Sequence, residues 1–454
     1  MREGEPFGVH LVTPNSSNAN NVRNVNSDGT LNNNNAWNGN RGVRPLRWKM
    51  RSSRRKPKAE YHHQRKVYPV AAIHGGDKYR IADTGAYRLR AAGKGYKQRG
   101  FFIMTDFEKI YSFESLYYAY RKARKGKRWK GAAAKFEVNL LEALNLLSAQ
   151  IRTKRYTMSQ YNTFEVYEPK KRVVMSNSYK DKVVQHSLCD NVLEPIFTRS
   201  FIRDNYASQV GKGTHYGLDR LQEFMRRFYR KNGVDGWVLK CDISKYFYSI
   251  RHDVLKTLIR EKISDPDVLW LVDLIIDSTE GNVGIPIGNQ TSQLFALLYL
   301  DGLDHFVKEK LGIKYYGRYM DDFFLIHQDK EYLRHCREEI EAFVQARGLS
   351  LNAKTNIFPL KHGIDFLGFH TYLVESGAVI RKVRRRSKNN MKRKLKKFAA
   401  LYAAGRIDEK TIEQSYKSWR GHAEKGNSYH LIRRTDHYYN SLFKSKEAEQ
   451  CQKH

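Results

Sequence analysis

Tyr319, Met320, Asp321 and Asp322 stand consecutively between two runs, 312–318 and 323–327, that are rich in strand-forming residues. The pattern reads as a β-hairpin with two adjacent carboxylates at an exposed turn. Adjacent acidic side chains repel each other and require a counter-cation. A third carboxylate, Asp242, ends the apolar stretch 237–242. Three carboxylates on neighbouring strand ends suit two Mg²⁺ ions, with Asp242, Ile243, Asp321 and Asp322 as the expected ligand positions and Tyr319 and Met320 beside the substrate. A two-metal site clamps both the attacking and the leaving oxygen of a phosphoryl transfer. Taken alone, the four-residue string also fits a solvated acidic turn.

Further residues could complete such a site. Phe247 follows Asp242 by five positions; a ring there would lie under an incoming sugar and clash with a 2′-hydroxyl, or would simply be a core aromatic. The segment 284–293, Gly-Ile-Pro-Ile-Gly-Asn-Gln-Thr-Ser-Gln, precedes an apolar helix expected over 294–303. Gly288 lets backbone come close to a base pair, and the helix start offers free N–H groups. The turn 167–174 is basic: Lys170, Lys171 and Arg172 could meet a triphosphate, Arg172 being best suited to bidentate contact, although an ordinary basic hairpin fits equally. Lys354 could give a proton to departing pyrophosphate, or be solvated. Residues 363–369 read as a hairpin able to support a primer strand.

The elements that must position these residues alternate strands with helices, an α/β palm with helical satellites. Amphipathic spacing predicts helices over 113–120, 136–151 and 330–347, the last with Leu333, Cys336, Ile340, Phe343 and Val344 on one face and Gly348 as its stop. Past Gly377 the chain turns basic again. Arg381, Lys382, Arg384, Arg385 and Arg386 lead into a helix over 391–402 that carries Lys392, Arg393 and Lys394, and a second helix spans 413–423. This suits a thumb gripping a duplex backbone, the alternative being a solvated helical tail.

Composition sets the partner. Among 454 residues, 82 Lys and Arg against 47 Asp and Glu leave a formal charge of +35. An excess of that size points to nucleic acid, bound through phosphate contacts and counterion release. No amphipathic anchor or lipidation signal points to a membrane. Cys189, Cys241, Cys336 and Cys451 are scattered, without a zinc or disulfide pattern, which fits a reduced cytoplasm. The expected organisation is an Asn-rich, disordered segment 1–45; a basic linker 46–103; N-terminal helices and fingers 104–235; the palm 236–375; the thumb 376–445; and a tail 446–454.

The order Asp242, Phe247, the 284–293 segment, Tyr-Met-Asp-Asp, Lys354 and Phe366-Leu367-Gly368-Phe369 resembles the reverse transcriptases, in their bacterial group II intron-like branch, over about residues 105–440. Most of that branch has Gln before the glycine of the third motif and Ser-Pro after it; here Ile287 precedes Gly288, and Gln293 follows Ser292. That pattern resembles the reverse transcriptases of diversity-generating retroelements, as do Val184-Gln185-His186, Gly211 to His215 and Ser418 to His422. The resemblance implies a right-hand polymerase fold with fingers, an antiparallel palm sheet and a helical thumb. It implies RNA-templated DNA synthesis from a DNA or RNA primer and dNTPs, with errors concentrated at template adenines. It also implies a basic accessory variability protein as partner, in a bacterial or phage-encoded cytoplasmic setting. Ile287 and Gln293 would lie near the nascent base pair, and an apolar side chain at 287 loses an amide that helps to hold the template base. Two positions depart from the family: Gln209 stands where an arginine is frequent, and Leu297 replaces a usual Asn.

Alternatives within the class are a group II intron maturase, which normally carries a longer C-terminal domain, and a retron enzyme, whose thumb motif Val-Thr-Gly is not found. A non-catalytic RNA-binding protein on a polymerase fold would have no need of all three aspartates. Residues 1–103 carry a separate expectation, that the working protein begins at Met104. The Asn-rich segment 13–45 then reads as a translated template repeat. Asn codons are adenine-rich yet cannot become stops through their adenines, whereas lysine codons can, and no lysine precedes Lys49. The alternative is an ordinary disordered Asn-rich tail.

Overall fold

The computed structural model describes residues 79–81, 87–89, 104–127, 131–167 and 171–443. The expectations for segments 1–45 and 446–454, the reading of 1–103 as translated template, and Lys170 lie outside the described residues. Within the linker 46–103, two short strands, β1 (Tyr79–Ile81) and β2 (Tyr87–Leu89), pair antiparallel.

From Thr105 the chain is helical because local signals agree. Thr105 and Glu108 form a reciprocal capping box on the helix Asp106–Tyr111, and Ser112 caps the next helix, Phe113–Arg124. The stretch expected as one helix over 136–151 is two, Gly131–Val138 and Leu140–Arg152, which meet at Asn139. These helices pack around Tyr179–Leu188. Between them the fingers hairpin pairs β3 (Asn162–Val166) with β4 (Arg172–Ser176).

The palm is a four-stranded antiparallel sheet built from β5 (Trp237–Asp242), β6 (Tyr315–Tyr319), β7 (Asp322–His327) and β8 (Asn356–Pro359), in the spatial order β6-β7-β5-β8. Phe323, Phe324, Leu325 and Ile326 are all buried, so β7 is covered on both faces and reads as an unbroken apolar run. The first run of the hairpin begins as a strand at Tyr315, three residues later than the pattern predicted. Helices Thr214–Asn232 and Lys330–Gln345 pack on the sheet. The second buries Leu333, Cys336, Ile340 and Val344 and is followed by Gly348 at φ +73, where a Cβ would be strained.

A second antiparallel sheet joins palm to thumb: β9 (Ile364–Phe366), β10 (Phe369–Leu373) and β11 (Val379–Val383). Leu367 and Gly368, both at positive φ, make its two-residue hairpin loop. The thumb is three helices, Arg385–Ala403, Glu409–Ala423 and Tyr429–Phe443, around a separate core of Met391, Leu395, Ile412, Tyr416, Tyr439 and Phe443. The basic helix starts at Arg385, ahead of the predicted 391, and the third helix was not predicted. The whole is the expected right-hand polymerase fold, with fingers, an antiparallel palm and a helical thumb. Cys189, Cys241 and Cys336 are buried free thiols. Among the described residues no helix is long and apolar enough to cross a membrane.

Candidate active site

The register of the palm sheet sets the carboxylates. Asp242, the last residue of β5, lies directly opposite Asp322, the first residue of β7. Tyr319 also pairs with Asp322, which leaves Met320 and Asp321 as the two-residue turn. Backbone bonds lace this end together. Ile243 N donates to the Asp321 carbonyl at 3.2 Å, and Asn352 N to that of Asp242 at 2.7 Å. The turn is not the exposed one expected: Tyr319 and Met320 are buried and all three aspartates are half-buried. Residues 350–352 fold over the end of β5, with Ser244 N bonded to the Ser350 carbonyl at 2.9 Å, and buried Arg318 holds the Met320 carbonyl from the core side at 3.0 Å.

Among the described residues no three carboxylates, imidazoles or thiolates close into a metal cage. Mg²⁺ does not require one, since it is usually held by one or two carboxylates together with substrate phosphates. The all-oxygen set at this sheet end fits that mode. One neighbour escaped the sequence reading. Lys240 sits two residues before Asp242 and so on the same face of β5. Its ammonium is ion-paired with Asp322 and lies 4.8 Å from the centre of the Phe366 ring. Burial pushes its pKa down to about 7, against the pull of the surrounding acidic groups. The available signal was a lysine inside an otherwise apolar strand, aligned with the aspartate.

Phe247 occupies a short helix, Tyr246–Ser249, reached through Lys245 at φ +46. It is pinned from two sides: its carbonyl accepts from Ile285 N at 2.8 Å, and the Tyr246 ring meets its own edge-to-face at 5.8 Å. The fingers hairpin docks on the 284–289 loop, Met175 N donating to the Ile287 carbonyl at 3.1 Å. Gly288 is required there, because a Cβ would stand 2.9 Å from the Met175 carbonyl at φ +129. Ile287 and Gln293 are half-buried, and Gln293 is hydrogen-bonded by the Ser208 hydroxyl. Arg172 is half-buried on β4, while exposed Lys171 is engaged by Glu165 at 2.7 Å. Lys354 is exposed in the loop after Asn352, whose side chain accepts its N–H at 3.1 Å. Gln209 turns into its own loop, donating to the Asn205 carbonyl at 2.9 Å, and the Leu297 side chain is wholly buried.

The helix behind the loop was expected over 294–303. It runs Gln290–Tyr299 and breaks at Leu300 before a shorter helix, Asp301–His305. Its first turn is tied to the fingers: Gln290 donates to Asp190 and Thr291 to Gln185, both at 3.4 Å. That accounts for Gln185 in the Val184-Gln185-His186 motif. Lys212 of the Gly211–His215 motif donates to the carbonyls of Ile202 and Asn205. Beneath the turn, Arg318 and Asp304 form an ion pair with no exposure on either side. Removing one partner from such a pair typically costs about 3–5 kcal/mol.

On the thumb side, Arg381 must be corrected. It is buried and binds the Leu218 and Lys425 carbonyls and the side chains of Asp219 and Gln222, at 2.8–3.1 Å. Strand alternation turns it inward, so it fastens the thumb to helix Thr214–Asn232 and does not face phosphate. Lys382, Arg384, Arg385, Arg386, Lys392 and Arg393 are exposed, and Lys394 is half-buried against Phe398. Arg384 also pairs with Asp365 at 3.1 Å. The Ser418–His422 motif is a docking device: Trp419 donates to Ser387 at 3.2 Å, and His422 packs 4.5 Å from the ring of Phe369.

Residues 167–371 match the family model "Reverse transcriptase (RNA-dependent DNA polymerase)". The chain is 26% identical over 206 residues to the "Putative COX1/OXI3 intron 2 protein" of Saccharomyces cerevisiae, covering 42% of this chain and 23% of that protein. It is 31% identical over 146 residues to the "Uncharacterized 91 kDa protein in cob intron" of Schizosaccharomyces pombe, covering 30% and 17%. The chain therefore spans less than a quarter of the length of either relative. A solved telomerase from Candida albicans, in complex with a fragment of telomeric RNA, aligns with a TM-score of 0.41 at 14% identity, over 64% of this chain and 56% of that one. The match over the fingers and palm means that the chain carries a reverse transcriptase domain across residues 167–371.

Proposed function

We propose that the protein is an RNA-directed DNA polymerase, and that it belongs to the diversity-generating type whose errors concentrate at template adenines. The observation that carries the first part is the cross-strand pairing of Asp242 with Asp322 beside the Asp321 turn, below a basic fingers hairpin bonded to the Ile287–Gly288 loop. Asp242, Asp321 and Asp322, with the Ile243 carbonyl, would hold the divalent ions. When bound, such ions lower the barrier to attack by the primer 3′-hydroxyl on the α-phosphate. The chain's own residues do the rest. Phe247 walls off the sugar, Arg172 and Lys171 offer cations to the triphosphate, and Lys354 supplies a proton to leaving pyrophosphate. The thumb cations hold the template–primer backbone. Primer extension on an RNA template tests this reading. The wild-type chain should make cDNA, and Asp321→Asn, which removes a ligand charge without removing volume, should reduce it by several orders of magnitude at unchanged thermal stability. Robust synthesis by that variant would refute the site.

The finer reading rests on Ile287 and Gln293. An apolar side chain at 287 cannot hydrogen-bond a template base, whereas the Gln293 amide is held by Ser208. Ile287→Gln should lower misincorporation opposite adenine by about tenfold, or roughly 1.4 kcal/mol, more than opposite the other bases. Sequenced cDNA from both enzymes decides it, and equal error spectra would place the chain with ordinary intron- or retron-type polymerases.

A further inference from the structure

Arg318 immediately precedes Tyr319 and is completely buried. A guanidinium removed from water must have its N–H groups answered. Asp304 answers two arms: Nε donates to Oδ1 at 2.6 Å and Nη2 to Oδ2 at 2.5 Å. The Tyr316 hydroxyl donates to the same Oδ1 at 2.6 Å, so the carboxylate is itself oriented. The fork also reaches backbone. Nη1 donates to the Met320 carbonyl at 3.0 Å, and Nη2 to the Leu297 carbonyl at 3.4 Å.

Both carbonyls need a partner. Met320 holds φ +56, a left-handed conformation that a non-glycine residue rarely adopts unless its surroundings impose it. Leu297 lies in the last turn of helix Gln290–Tyr299, which breaks at Leu300, so its carbonyl has no helical N–H to accept. Tyr246, next to Phe247, caps the neighbouring Ala296 carbonyl in the same way. One planar group therefore spans the catalytic turn and the helix that starts at the Ile287–Gln293 loop.

We propose that Arg318 is a positioning residue of the polymerase: locked on Asp304, it holds the left-handed Met320 turn at a fixed distance from helix Gln290–Tyr299, so that the template-side loop sets where Asp321 and Asp322 point. The proposal rests on the polymerase reading above. Lysine at 318 would keep the charge and the pairing with Asp304, but a single ammonium cannot present a planar fork to two carbonyls.

The test uses the full chain with Arg318→Lys, comparing thermal unfolding, template–primer affinity, dNTP KM, kcat, and Mn²⁺ binding by the nucleic-acid-free protein followed by electron paramagnetic resonance. Template–primer affinity and KM should stay near wild type while kcat, corrected for folded fraction, falls about 10²-fold, the effect of displacing reacting groups by about 1 Å. Mn²⁺ binding should weaken in parallel. A corrected kcat and Mn²⁺ affinity equal to wild type would reduce Arg318 to a core ion pair and overturn the proposal. Should Arg318→Lys fail to fold, Tyr316→Phe decides. It frees one side of Asp304 without touching either carbonyl, and should lower kcat and Mn²⁺ affinity in the same direction but less; no change in either would overturn the proposal. A wild-type chain that makes no cDNA with any divalent metal would refute the polymerase reading instead, and the Mn²⁺ measurement would still report on the fork.

Discussion

Phe247 shows how a single side chain acquires a role from its setting. A core aromatic would be buried, yet this ring is only half so, and backbone bonds from Ile285 together with the Tyr246 ring stop it from swinging away. On the proposed reading, a rigid ring at the edge of the nucleotide site would discriminate by volume. Phe247→Ala should therefore raise ribonucleotide incorporation relative to deoxynucleotide by at least about tenfold, roughly 1.4 kcal/mol of lost discrimination. Single-nucleotide extension with matched dNTP and rNTP pairs measures it, and an unchanged ratio would leave Phe247 a packing residue. Candidates of this kind can be picked out from sequence because chemistry leaves a type-and-spacing signature. Three aspartates at strand ends have no packing use. Lys240 left only the faint signal of a lysine in an apolar strand in line with Asp242, and Arg318 left none, because its partner Asp304 comes from a helix that only the tertiary fold brings beside the sheet.

At the scale of elements, the sequence was legible where periodicity and caps agree, and misleading where tertiary contacts end an element. Lys330–Gln345 was foreseeable from its apolar stripe and stop glycine. The break at Leu300 was not, because it is maintained by side chains from elsewhere that answer the freed carbonyls, Tyr246 and Arg318. Helix Tyr179–Leu188 carries a consequence of the same sort. His186 lies between the fingers helices and the start of Gln290–Tyr299, and burial pushes its pKa down to about 4, only partly offset by Asp190. The folded chain thus keeps the ring neutral, while the unfolded chain takes up its proton near the ordinary value of 6.5. Between those values the unfolded state binds more protons, so the full stability present above the upper value is lost as pH falls towards the lower. The slope is up to about 1.4 kcal/mol per pH unit. Urea unfolding of wild type and His186→Gln across that range should show a flatter acid limb in the variant. Parallel curves would assign the acid sensitivity to other groups.

Over the whole molecule, the formal charge of +35 favours a polyanionic partner, and the structure separates exposed cations from buried ones. The uniform basic run past Gly377 divides by strand and helix geometry into two kinds. Arg381 points inward from β11 and ties the thumb to helix Thr214–Asn232. Arg385, Arg386, Lys392 and Arg393 stand exposed on the helix Arg385–Ala403, outside the small thumb core. The two kinds should respond oppositely to substitution. If the exposed set grips the template–primer backbone, affinity should fall steeply with salt and vary little with sequence. Each exposed cation replaced by glutamine should then lower the slope of log affinity against log salt by about 0.7–0.9, the release of one counterion. Arg381→Gln should leave that slope unchanged while lowering the unfolding temperature, because it strips a buried link between thumb and palm made to the Leu218 and Lys425 carbonyls and to the side chains of Asp219 and Gln222. Fluorescence anisotropy titrations from low to moderate salt, paired with thermal unfolding, separate the two responses. A flat salt response in the wild type, or a reduced slope for Arg381→Gln alone, would show that the exposed face of this helix is not where the nucleic acid lies.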